Sequence, residues 1–209
     1  MGDVIDLKLI DMIESQVKSQ INTATEEVKR EIAYSTKVAK LRKAATASYR
    51  LKQPGSSTSY HHLFLDNDNN VAFELKSAIG FKFTCKLHEG NRLIGNITIK
   101  KAPHRYGTET IIVSDQKTVG SIFRTKNKLF DSEYFYDIQI PEWEIEEGVD
   151  SFIFLHNGDP ECVFTFPSLF TKRIDVISND HLDLIMLMCS AVLITDVARL
   201  SSEKAASGG

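Results

Sequence analysis

The chain has 209 residues, 42% of them apolar and 25% charged, with 25 Lys and Arg against 28 Asp and Glu for a net charge of −3. Such a length holds one full-sized domain with a real core, plus an appendage, in ordinary globular proportions. The acidic balance argues against a general nucleic-acid binder, because phosphate binding needs a basic excess, and leaves only local basic patches to consider.

The N-terminus carries Asp3, Asp6 and Asp11 and no unbroken apolar segment, so no secretory signal is expected. Asp6 stands where a myristoylation motif requires Ser or Thr, so no lipid anchor is expected either. From residue 4 to about 50 no Pro or Gly interrupts the helix signals. Ile10, Ile13, Val17, Ile21, Ala24, Val28 and Ile32 follow steps of three and four and form one apolar stripe, with Glu14, Lys18, Glu26, Lys29 and Glu31 on the other faces. The second half is basic, through Lys37, Lys40, Arg42, Lys43, Arg50 and Lys52. The stripe has three readings: a helix packed on its own domain, a coiled-coil or partner-docking helix, and a helix lying on a membrane surface. Pro54 and Gly55, followed by Ser and Thr to Ser59, predict a flexible joint over 53–59.

From Tyr60 to Pro167 the pattern changes to period two. Phe81, Phe83, Cys85 and Leu87 alternate with Lys82, Thr84 and Lys86, and similar runs recur to Phe166, so at least eight strands are needed. A repeat of polar turn, apolar residue, Gly, any residue, Ile appears at Leu93-Ile-Gly95-Asn-Ile97 and at Val119-Gly120-Ser-Ile122. Looser copies follow Asp66-Asn-Asp-Asn-Asn70 and His156-Asn-Gly-Asp159. Each unit reads as a hairpin with a bend or bulge after its turn, and bent hairpins curl a sheet into a barrel.

The container has an obvious content. Leu184 to Thr195 carries no charge, and apolar residues fall all the way round the helix it predicts, so no face suits water. Asp180 is expected to cap this helix, with Asp183 in its first turn and Arg199 in its last, matching the helix dipole. Twelve uncharged residues reach roughly 18 Å, short of the roughly 30 Å of a bilayer core. The expectation is therefore a helix over 180–199 wrapped by the chain's own strands, with a flexible tail over 201–209.

These features resemble the superfamily of phospholipid scramblases, plant LURP-one-related proteins and the Tubby C-terminal domain. The residues that carry the resemblance are Leu93-Ile-Gly95-Asn-Ile97, Val119-Gly120-Ser-Ile122, Phe170-Thr171 and Leu182 to Asp196 with Leu193-Ile-Thr-Asp196 at its end. The resemblance implies a closed barrel of about twelve antiparallel strands around the hydrophobic C-terminal helix, over residues 60–200. The chain departs from scramblases where Lys172-Arg173-Ile174-Asp175 replaces an acid-rich segment, and in lacking their cysteine-rich segment. The long N-terminal helix, expected over 1–52, belongs to none of these patterns.

No catalytic constellation is found. The Asp66 to Asn70 run fails as a calcium loop, with Val71 where Gly and Ser77 where Glu is required, and reads as a hairpin turn. His61-His62 lacks a spaced ligand partner and reads as surface histidines. Cys85, Cys162 and Cys189 lie far apart in apolar runs and read as reduced core thiols, which fits a cytosolic compartment. Trp143, among Glu142, Glu144, Glu146 and Glu147, is either an interface anchor or a Trp closing the barrel. Three basic clusters end strands or lie in loops: Lys100-Lys101 with His104-Arg105, Arg124 with Lys126 and Lys128, and Lys172-Arg173. They are the candidate sites for anionic phospholipid or an acidic partner.

Together the readings give a non-enzymatic interaction or scaffold module without cofactor or metal. Its N-terminal helix docks on a protein partner or a second copy through Ile10, Ile13, Val17, Ile21, Val28 and Ile32. The alternative is a peripheral membrane protein that binds anionic phospholipid or takes part in scrambling.

Overall fold

The computed structural model describes residues 7–54, 61–77, 84–101, 106–126, 135–148, 150–165 and 172–207, with side chains from 15 to 195 save those of 101, 106, 125, 126 and 135. The chain divides into two units, residues 1–40 and residues 41–209. A long helix, α1 (Leu7–Ala44), makes up the described part of the first unit. The second unit contains twelve strands among the described residues: β1 (Ala47–Lys52), β2 (His62–Leu65), β3 (Val71–Ser77), β4 (Thr84–Glu89), β5 (Arg92–Lys101), β6 (Tyr106–Ser114), β7 (Lys117–Lys126), β8 (Phe135–Gln139), β9 (Trp143–Glu147), β10 (Ser151–His156), β11 (Asp159–Thr165) and β12 (Arg173–Val176). A second helix, α2 (Leu182–Ser207), follows.

All twelve strands form one antiparallel sheet. β1 to β8 pair in chain order, β1 also pairs with β12, and β11, β10 and β9 complete the order, leaving β8 and β9 as its two edges. The sheet curls into a nearly closed barrel around α2. At the seam, the backbone N–H of Tyr136 on β8 donates to the carboxylate of Glu147 on β9. The rings of Tyr136 and Phe152 also meet edge to face, 5.0 Å apart.

Turn chemistry explains the hairpins. Asp115 and Gln116 have φ of 48° and 63°, and Asn157 and Gly158 have 53° and 84°, both two-residue turns of the kind whose twist matches the flanking strands. Asp66 accepts from the backbone N–H of Asp68 and Asn70 at 2.9 and 2.8 Å, so its carboxylate builds the β2–β3 turn expected of it. After each of four such turns the second strand carries one extra residue, a β-bulge: Ala72, Ile94, Val119 and Glu161. Bulges sharpen bend and twist, which is how short hairpins wrap a helix. The repeated glycines sit immediately after two of them. A Cβ on Gly95 would lie 2.5 Å from the Val113 carbonyl oxygen and 3.1 Å from Leu187 of α2, and one on Gly120 would lie 2.3 Å from the Gln139 carbonyl oxygen.

Every residue of α2 from Ile185 to Thr195 is at most 2% exposed. The strands supply Phe64, Phe73, Leu75, Leu87, Ile97, Ile112, Ile122, Phe154, Phe164 and Ile174 around it. Of its buried polar side chains, Thr195 donates to the Ala191 carbonyl and meets Thr110 of β6, each at 2.7 Å, while Ser190 Oγ has no hydrogen-bond partner among the described residues. The three cysteines are free and buried, as expected of core thiols.

Several boundaries differ from the sequence reading. Residues 47–52 belong to the barrel and not to a helical extension over 1–52. Ala47, Tyr49 and Leu51 alternate into the core, and β1 fills the place between β2 and β12, so tertiary pairing overrides local helix propensity. The barrel thus begins before the joint at 53–59, of which 55–59 lie outside the described residues. The helix does not stop at Arg199: α2 runs to Ser207, through residues that favour a helix and contain no Pro or Gly. Its first carbonyl is that of His181, which accepts from Ile185 N–H at 2.9 Å, so the cap falls there and not at Asp180.

Candidate functional site

Helix α1 presents the first candidate surface between Val17 and Ile32. Val17, Ile21, Val28 and Ile32 are 47 to 62% exposed and lie on one face of the helix. Ile10 and Ile13 fall on the same face by spacing and lie in α1, though their side chains are outside the described set. The last turn of α1 is different. Arg42 donates to Thr165 of β11 and sits 3.6 Å from the fully buried carboxylate of Asp175 on β12, which also accepts from Ser48 at 2.6 Å and Arg173 at 2.7 Å. A buried carboxylate must be compensated in this way.

The basic clusters form the second candidate. Strand direction brings the ends of β5 and β7 and the start of β12 to the same end of the barrel. The side chains there do not share one role. Lys100 is exposed on β5, while Arg124 is half-buried, falls on the same strand face as the core residue Ile122 and lies 5.8 Å from the ring of Tyr136. Arg173 is held by Asp175 and Ser48. Lys172 precedes β12, and its carbonyl accepts from Leu51 N–H at 2.9 Å. Lys101 and Lys126 lie in β5 and β7 without described side chains, and His104, Arg105 and Lys128 lie outside the described residues.

Beside this end, His62 is not the surface histidine expected. It is 1% exposed on the face shared with Phe64, and burial first, with Lys172 and His61 adding, pushes its pKa down to about 4. His61 meets Glu74 at 2.8 Å.

The opposite end, where α2 begins, holds a group that the sequence reading passed over. His156 ends β10, Glu161 is the β11 bulge, and His181 precedes α2; one ligand atom from each lies within 4.8 Å of the others. The two imidazoles meet edge to face at 4.4 Å. Trp143, 6% exposed, stacks on His156 at 5.0 Å and meets His181 edge-on at 5.7 Å, so it closes this end as one of its two readings held. Glu142, with φ of 69°, places its carboxylate 3.2 Å from His156 Nε2. Arg92 completes the end, binding Asp183 of α2 through two hydrogen bonds of 2.6 and 2.9 Å.

The repeat itself carried a signal for this group. At the bulge position the other hairpins place Ala72, Ile94 and Val119, all packed against the core, and only the fourth places a carboxylate, Glu161. Among the described residues no helix is long and apolar enough to cross a membrane. No family model, curated protein or solved structure matches the chain.

Proposed function

We propose that this chain is a non-enzymatic interaction module of Tubby and scramblase-like type, whose barrel carries α1 as a docking helix for a second amphipathic helix, from another copy or from a protein partner. Supporting the superfamily reading is a twelve-stranded antiparallel barrel around a helix buried from Ile185 to Thr195, the arrangement that the motif resemblance implies. One observation carries the docking role: Val17, Ile21, Val28 and Ile32 expose an apolar stripe at 47 to 62% each. Their spacing is regular. Ile10-Ile13-Val17, Ile21-Ala24-Val28 and Ile32-Ser35-Ala39 repeat in steps of three, four and four, and an 11-residue period keeps a seam nearly in line along a helix. Burying such a seam contributes roughly 25 cal/mol per Å² of apolar area removed from water.

The test spares β1 and Arg42, which belong to the barrel unit. The full chain and an Ile21→Glu/Val28→Glu variant are compared by light scattering across concentration and by the proteins that co-purify with each. Loss of self-association or of a bound partner in the variant is expected. A monomer with the same co-purifying proteins in both forms overturns the docking role.

The second reading, binding of anionic phospholipid, draws on the basic strand ends at one end of the barrel. Arg173 tied to Asp175 and Arg124 half-buried over the Tyr136 ring leave it less support. Flotation with anionic vesicles at low salt, weakened by Lys100→Glu, is its expected result.

A further inference from the structure

We propose that His156, Glu161 and His181 form a binding site for one divalent transition-metal ion of the zinc type, which ties the start of α2 to the β10–β11 hairpin. Their ligand atoms already lie within 4.8 Å of one another. A tetrahedral zinc site holds its ligands roughly 3.4 Å apart, given metal–ligand bonds of about 2.1 Å, a distance that side-chain rotation can close.

Three observations point to a cation. First, Glu161 Oε2 is buried without a hydrogen-bond partner, and such an orphan oxygen is costly unless something binds it. Second, the bulge aims this carboxylate where the three sister hairpins aim Ala72, Ile94 and Val119 at the core, so the local geometry favours an apolar residue and the charge is the exception. Third, Glu142 lies 3.2 Å from His156 Nε2, the kind of carboxylate partner that orients a ligating imidazole.

Two imidazoles and one carboxylate select a borderline metal over Ca²⁺ or Mg²⁺, which take oxygen ligands. With three protein ligands, a water completes the tetrahedron.

The molecule has a built-in reporter, since Trp143 is its only tryptophan and stacks on His156. Full-length, tag-free protein is titrated with Zn²⁺ and, separately, with Co²⁺, following Trp143 fluorescence and visible absorption. One equivalent is expected to bind. Co²⁺ should quench Trp143 and give the visible bands of a tetrahedral site, and Zn²⁺ should raise Tm, whereas Ca²⁺ and Mg²⁺ at equal concentration should not. Glu161→Gln, which keeps shape and volume, and His181→Gln should each weaken binding tenfold or more while circular dichroism stays unchanged. No saturable Zn²⁺ binding overturns the proposal, as does binding of equal strength in the wild-type protein and folded Glu161→Gln. Should His181→Gln fail to fold, the Glu161→Gln titration and the Co²⁺ spectrum of the wild-type protein decide.

Discussion

The two helices show how differently apolar residues can be used. From Ile185 to Thr195, α2 is at most 2% exposed on every side, whereas α1 leaves Val17, Ile21, Val28 and Ile32 about half exposed on one side. A helix that is apolar all round needs a closed container and fixes the architecture around it; a helix with one apolar stripe needs a single partner surface. The contrast predicts where substitutions will register: in α2 as lost stability, in α1 as lost association.

The largest effect belongs to the container. Leu193→Ala removes a fully buried side chain from α2 and should cost about 2 to 5 kcal/mol, read from urea unfolding. A cost under about 1 kcal/mol would mean that the strands collapse onto the vacancy and that the barrel packs more loosely than this contrast requires.

Acid should open the same container from its wall. His62 has a folded pKa of about 4 against an ordinary 6.5, so the unfolded chain takes up the proton first as pH falls. The stability from keeping it neutral is therefore complete above pH 6.5 and lost progressively between 6.5 and about 4. That difference corresponds to about 3 kcal/mol. In His62→Leu this part of the acid sensitivity should vanish, which thermal unfolding at pH 7 and pH 4.5 would measure.

Smaller again is the effect of the bends that let the sheet curl. Gly120→Ala places a methyl group 2.3 Å from the Gln139 carbonyl oxygen and 2.7 Å from Ile140 Cγ1, so β7 and β8 must move apart beside the seam. A cost of about 1 to 3 kcal/mol is expected, with faster amide exchange in β8 than in the wild-type protein.

How far the sequence foretold this molecule follows the same contrast. α2 was legible because its requirement is absolute, since no arrangement leaves Leu184 to Thr195 in water. The hairpins were legible because Asn157-Gly158 and Gly90 adopt backbone conformations that few other residues accept. β1 was not, since Ala47, Tyr49 and Leu51 follow an unbroken helical run and only the gap between β2 and β12 recruits them. His156, Glu161 and His181 come together through a bulge and through the direction in which α2 starts, neither of which spacing reveals. Arg124 shares a strand face with the core residue Ile122, a placement that strand alternation carries and charge alone does not suggest.

Least visible in stability, and most telling for function, is Ile21→Ala. The side chain is 59% exposed, and exposed positions away from caps and cores usually move stability by no more than about 0.5 kcal/mol. Unfolding of dilute protein should thus match the wild type, while the association measured at high concentration weakens. Coupling of the two would contradict the contrast: a destabilisation of about 2 kcal/mol in dilute protein would mean that the stripe is covered within its own chain, and α1 would join α2 as a helix whose apolar face is already satisfied.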